Sequence, residues 1–255
     1  MHVGGCRAMV GAVDSDPPRF EHTELRDAVF RDVDLSGAKF IDAFMPGVSI
    51  SGFVGGLTVN GVEVWPLIEA ELDRLHPERV TLRPDDADGV RAAVAAVHAL
   101  WAPTVEFARS LKAPLVDERV DGEWSFVETL RHLVFVADGW FLHAVLGETQ
   151  PYDRLGLVPP FLDAQKDALG LPVAVAPRLD EVLAVRAARM VRLASYAASV
   201  SDDQLAEPRP DAGAAYPPSS DDTVLQCLRV LFDEEWWHHR YATRDLAVLT
   251  GGAVP

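Results

Sequence analysis

From Phe20 to Ile50 a large apolar residue stands at every fifth position: Phe20, Leu25, Phe30, Leu35, Phe40, Met45 and Ile50. A second series, Thr23, Ala28, Val33, Ala38, Ala43, Val48 and Phe53, keeps the same period two positions earlier in each unit. A helix repeats every 3.6 residues and a strand every two, so a period of five excludes both and demands a repeat architecture. The pattern decays after Gly55 into GGLTVNGVEV, where Asn60-Gly61 predicts a turn between short strands.

The units DAVF, DVDL and GAKF resemble pentapeptide-repeat proteins, which carry a large apolar residue at the centre of each five and a small one two positions before it. The resemblance implies a right-handed, four-sided β-helix, one pentapeptide per side, with the apolar pair inward. The tract is long enough for about two coils, and so short a stack exposes both ends. Some relatives are long rods that mimic DNA; this tract is too short for that and reads as a small cap.

The rest of the chain is patterned for helices. Trp65–Arg74 reads as a short helix with Pro66 in its first turn, ended by His76-Pro77. Residues 77–86 read as a linker. Asp86–Leu111 is helical, with Pro103 expected to kink or break it. Ser125 and Glu128 form a capping-box signature that starts another helix. A long Pro-rich connection over 148–178 reads as a lid, a binding loop or a strap between helices. Leu179–Val200 is the next helix, with Arg186, Arg189 and Arg192 on a solvated or ion-paired face. The last helix has its N-cap in the Ser220–Asp222 region and ends before Gly251-Gly252. The expected organisation is an N-terminal arm (1–17), a repeat segment (18–62), a short helix and linker (63–85) and a four-helix bundle with a crossover (86–250), a mainly α protein.

Composition narrows the function. The chain of 255 residues carries a formal charge of −16, the opposite of what a phosphate-binding face needs, so nucleic-acid binding is not expected. No apolar run is long enough to span a membrane. No secretory signal is evident at the N-terminus, so a cytoplasmic location is the expectation. Cys6 and Cys227 make no disulfide framework, and Cys227 sits on the apolar stripe of the last helix.

That last helix, TVLQCLRVLFDEEWWHHRYATRDLAVLT, carries the chemistry. Its stripe (Val224, Leu228, Leu231, Ala242, Leu249) is interrupted by Glu234, Glu235 and His238. Buried charge is costly unless paired or bound to metal. Glu234 with His238, or Glu235 with His238, points two donors of a divalent-metal site the same way from one helix. His239 lies off the centre of the stripe, which favours His238. His132, among Leu130, Leu133, Val136 and Trp140, is placed to complete the site. His98 and His143 are weaker candidates, and Glu128 is engaged by its cap.

GEWSFVETLRHL, followed about a hundred residues later by EEWWHHRYATRDL, resembles the DinB-like superfamily over roughly residues 86–250. The resemblance implies a four-helix bundle, often a homodimer, with a divalent metal held by three His. Residue by residue, His132 matches the first ligand and His238 the last. Glu234 stands where the family has its middle His, and two imidazoles with one carboxylate suit zinc first, with nickel, manganese or iron as alternatives. Glu235 and His239 stay in reserve. Catalytic relatives are mycothiol-dependent maleylpyruvate isomerase and mycothiol or bacillithiol S-transferases. They imply a small-molecule substrate, a low-molecular-weight thiol cofactor and no catalytic Cys. Asp138 and Tyr241 are candidates for supporting or substrate contacts. The competing expectation is a non-catalytic bundle with a degenerate site, serving as a binding or assembly module.

Overall fold

A computed structural model of the chain describes residues 18–31, 33–171, 175–213 and 215–254. The expected N-terminal arm, with Cys6, lies outside the described residues. The chain divides into two compact units, Met1–Trp65 and Pro66–Pro255.

In the first unit the period of five is written into the backbone. Among the described residues, left-handed positions occur at His22, Asp27, Gly37, Asp42, Gly47 and Gly52, which stand in one register of the five-residue period. Three of them are corners of closed turns, with Ala28, Ala38 and Val48 donating their N–H to Leu25, Leu35 and Met45. Gly and Asp suit such corners because they tolerate positive φ. The apolar series expected to point inward is instead exposed: Met45 is 40% exposed and Phe20 63%. A stack of about two coils has a single internal layer, so each ring of side chains is covered from one side at most. Strands β1 (Thr58–Val59) and β2 (Val62–Glu63) then pair across the expected Asn60-Gly61 turn, both residues at positive φ.

The second unit follows with α1 (Trp65–Leu75), α2 (Glu78–Thr81), α3 (Ala87–Ser110), α4 (Ala113–Val116), α5 (Phe126–Val136), α6 (Leu179–Ser199), α7 (Asp202–Ala206) and α8 (Val224–Thr250). The segment expected as a linker is instead packed. It carries α2, and Arg79 and Leu82 are buried. Arg79 lies over the rings of Trp236 and Trp237 and pairs with Glu69 and Asp73, so a cation stacked on α8 holds α1 and α2 in place.

α3 and α5 each pack against both α6 and α8. The bundle order around the core is therefore α3, α6, α5, α8, with α3 diagonal to α5 and α6 diagonal to α8. That arrangement needs the crossover connections the long loops provide. α3 buries Val90, Ala93, Val97, Trp101, Thr104 and Ala108, the three-four spacing of a core stripe, and passes through Pro103 without ending. α8 is capped by Thr223, one residue past the expected region, in a box with Gln226. It stops at Gly251, whose φ of 68° closes the helix in the left-handed region.

α5 does not end at Val136. Its chain continues as a π-helical segment, Ala137–His143. Asp138, in this segment, is fully buried. Among the described residues no helix is long and apolar enough to cross a membrane.

Candidate metal centre

The centre lies where α5 meets α8. The start of α5 is fixed by reciprocal bonds: Glu128 N–H donates to Ser125 Oγ (3.2 Å) and Ser125 N–H to Glu128 Oε2 (3.0 Å). Glu128 also accepts from Arg119 Nε at 2.8 Å, so its carboxylate is fully engaged and stays out of the site, as the capping signature predicts. Seven residues after Ser125, His132 faces α8.

His132, Glu234 and His238 come together: one ligand atom from each lies within 4.8 Å of the other two. Glu234 Oε2 is 3.1 Å from His238 Nε2 and 3.6 Å from His132 Nε2. Two ligands of a tetrahedral ion with bonds of about 2.0–2.1 Å stand about 3.3 Å apart, so these separations bracket the spacing required. The His132 side chain is 7% exposed, His238 15% and Glu234 36%, which closes the cluster on the imidazole side and leaves it accessible at Glu234.

The tautomer of His132 is set by its other nitrogen. Nδ1 lies 3.1 Å from the Leu157 carbonyl oxygen, which can only accept, so Nδ1 carries the proton. Nε2 then meets the Glu234 carboxylate in one of two ways. It is either the N–H of a charged ring or a lone pair sharing a cation with the carboxylate. Burial holds the His132 imidazole below its ordinary range, against the pull of Glu234, and so opposes the charged ring. Burial pushes Glu234 upward, but its contacts with His132 and His238 outweigh this and keep it ionised, below the usual carboxylate range. A neutral imidazole oriented by a backbone carbonyl, facing an ionised carboxylate, is the donor arrangement of a metal site.

Leu157 is itself held. Its N–H donates to the Arg131 carbonyl (3.1 Å), and Arg131 Nε donates to the Leu155 carbonyl (3.0 Å). Leu155 N–H donates to Asp153 Oδ1 (2.9 Å), and Asp153 N–H to Asp138 Oδ2 (2.7 Å). The Pro-rich connection is thus, over Asp153–Leu157, a strap bonded along α5 rather than a free lid. Asp138 anchors the strap and takes Arg189 Nε at 2.6 Å. Burial raises its carboxyl to about 6 despite that arginine. It lies outside the three-residue cluster.

The reserve candidates are committed elsewhere. Glu235, 1% exposed, receives both guanidinium arms of the buried Arg186, Nη1 to Oε1 at 2.9 Å. Arg186 also lies over the Trp101 ring. His239 Nε2 is 2.9 Å from Thr104 Oγ1, and burial, with Arg186 nearby, takes its imidazole down to about 4. His143 is buried with Nδ1 against the Glu148 carbonyl, and His98 is exposed. Arg189 and Arg192 pair with Asp138 and Glu148, so the basic face of α6 is ion-paired.

Two contributors carry no clear sequence signal. The Leu157 carbonyl is backbone, and no side-chain pattern announces it. Trp124 stacks beside both imidazoles, its ring centre 4.6 Å from His132 and 5.9 Å from His238. The Trp-Ser pair marks the helix start, but only the fold reveals that the indole walls the site.

A family model described as DinB superfamily matches residues 62–242, a span that holds all three clustered residues. The chain belongs to the DinB superfamily. A second family model, pentapeptide repeats, matches residues 19–52 in eight copies. No curated protein and no solved structure matches the chain. In this DinB superfamily member the bundle places a carboxylate, Glu234, between the two imidazoles. The donor set fits a divalent cation of the zinc, nickel, manganese and iron group.

Proposed function

We propose that this DinB superfamily protein is a divalent-metal-dependent enzyme that uses a low-molecular-weight thiol, acting as an S-transferase or isomerase on a small electrophile. His132, Glu234 and His238 would hold the metal. The observation that carries the reading is the His132–Leu157 hydrogen bond, which aims a neutral Nε2 lone pair at an ionised carboxylate.

A divalent cation in this position supplies Lewis acidity that makes a thiol acidic at neutral pH. The chain's residues do the rest. Glu234 offsets the charge and leaves one side open for a substrate atom. Trp124 covers the imidazoles and excludes water from that wall. Cys227, the cysteine among the described residues, does not supply the nucleophilic sulfur: it is fully buried and its thiol is pushed up by burial to about 11.

The test is turnover of a generic electrophile such as chlorodinitrobenzene with mycothiol, bacillithiol or glutathione, by metal-loaded and chelator-treated protein. Metal-dependent thiol consumption that disappears in His238→Ala supports the reading. A protein that binds metal yet consumes none of these thiols points to the binding or assembly module.

A further inference from the structure

The face of α8 that carries Glu234 and His238 continues to Tyr241. Positions 234, 238 and 241 follow the i, i+4, i+7 stripe, so the Tyr241 side chain stands two turns above Glu234 on the same side of the helix. Its ring meets the His238 ring edge-on, 5.9 Å between centres at 84°. Trp237 stacks on it at 6.0 Å, and the Arg244 guanidinium lies 5.5 Å over it. Three neighbours therefore fix the ring beside His238.

The hydroxyl is the unused part. Tyr241 is half-buried, yet among the described residues its O–H has no hydrogen-bond partner. It is not among the buried polar atoms that lack a partner, so it is open to solvent and to an incoming ligand. Neighbouring polar groups on the same stretch are committed: Arg244 binds Asp245 through two contacts (2.7 and 3.0 Å), and Arg240 contacts His76. A phenol is protonated at neutral pH, so the hydroxyl is available as a donor.

We infer that the Tyr241 hydroxyl is the hydrogen-bond donor to the exogenous thiolate or small anion that enters the open side of the His132–Glu234–His238 cluster. This rests on the metal-site reading above. In it, Glu234 and the imidazoles hold the cation while Tyr241 orients the incoming ligand, so its removal should affect ligand binding and leave cation binding alone.

The experiment uses the full chain loaded with cobalt(II) and titrated with 2-mercaptoethanol, following the sulfur-to-cobalt charge-transfer band. Tyr241→Phe keeps the ring, its stacking and the fold. The expected result is an affinity for 2-mercaptoethanol about tenfold weaker than wild type, the scale of one lost hydrogen bond to a charged group, with cobalt affinity unchanged. Equal thiol affinity in wild type and Tyr241→Phe overturns the inference while leaving the metal site standing. Parallel loss of cobalt affinity also overturns it, because Tyr241 would then support the site rather than the ligand. A wild-type chain that takes up no cobalt overturns the metal-site reading and this inference with it.

Discussion

Arg186 on α6 and Glu235 on α8 form a two-pronged ion pair inside the bundle, and that pair decides which acid of the Glu234-Glu235 dipeptide faces the candidate centre. Glu235 lies in the middle of the core stripe and is neutralised by a buried guanidinium. Glu234, one residue earlier and rotated by a hundred degrees, faces α5 and the two imidazoles.

The two acids should therefore fail differently. Glu235→Ala leaves Arg186 charged, buried and unpaired, and should cost about 3–5 kcal/mol of stability in urea unfolding. Glu234→Gln, which keeps a polar side chain of the same size at a partly exposed position, should cost the metal-free protein less than Glu235→Ala does while abolishing metal binding. Equal costs for the two variants would remove the distinction.

Trp124 touches both imidazoles, so it should govern how well they are placed. Trp124→Ala should weaken metal affinity by roughly tenfold, the lower end of what the loss of a supporting neighbour costs a metal site. Trp124→Phe keeps an aromatic wall and should recover most of it. Competition against a chelator of known affinity reads both.

Glu128 gives a pH signature. Burial raises its carboxyl, but Arg119 and Ser125 outweigh that and hold it below 4.5 in the folded protein. The folded state thus binds this proton less readily than the unfolded chain. The stabilisation is fully present above 4.5 and is lost as pH falls through the folded value. Glu128→Gln keeps the capping box but loses the Arg119 ion pair, and should be less stable than wild type by about 0.5 kcal/mol at neutral pH. The gap should hold down to about pH 5.5 and close below 4.5, as followed by thermal unfolding across pH.

Much of the bundle was legible because its signals are local. Ser125 with Glu128 marks a helix start by chemistry that acts over three residues, and Val90, Val97 and Trp101 of α3 keep helical spacing and are buried, whereas Ala93, Thr104 and Ala108 complete the buried face without an apolar signal large enough to mark them. His132, Glu234 and His238 were legible as a set because donors four apart on one helix share a direction, and the resemblance placed His132 opposite them. What stayed hidden depends on contacts distant in sequence. The Arg186–Glu235 pair spans two helices, the Leu157 carbonyl acts through backbone, and Arg79 turns an apparent linker into a packed clamp. The π-helical segment at Ala137–His143 has no periodic signature, because one added residue per turn looks like ordinary helix over so short a span. The apolar repeat residues follow the expected period but remain exposed, since the period fixes where corners fall and not how many coils stack.

The most direct test of the central claim is the metal content of tag-free protein by plasma mass spectrometry, as purified and after reconstitution with zinc, nickel or manganese, beside His132→Ala and His238→Ala. The account predicts close to one ion per chain in the wild type and a loss of that ion in both variants. Wild-type protein that remains without metal after reconstitution, or variants that keep the ion, would contradict it.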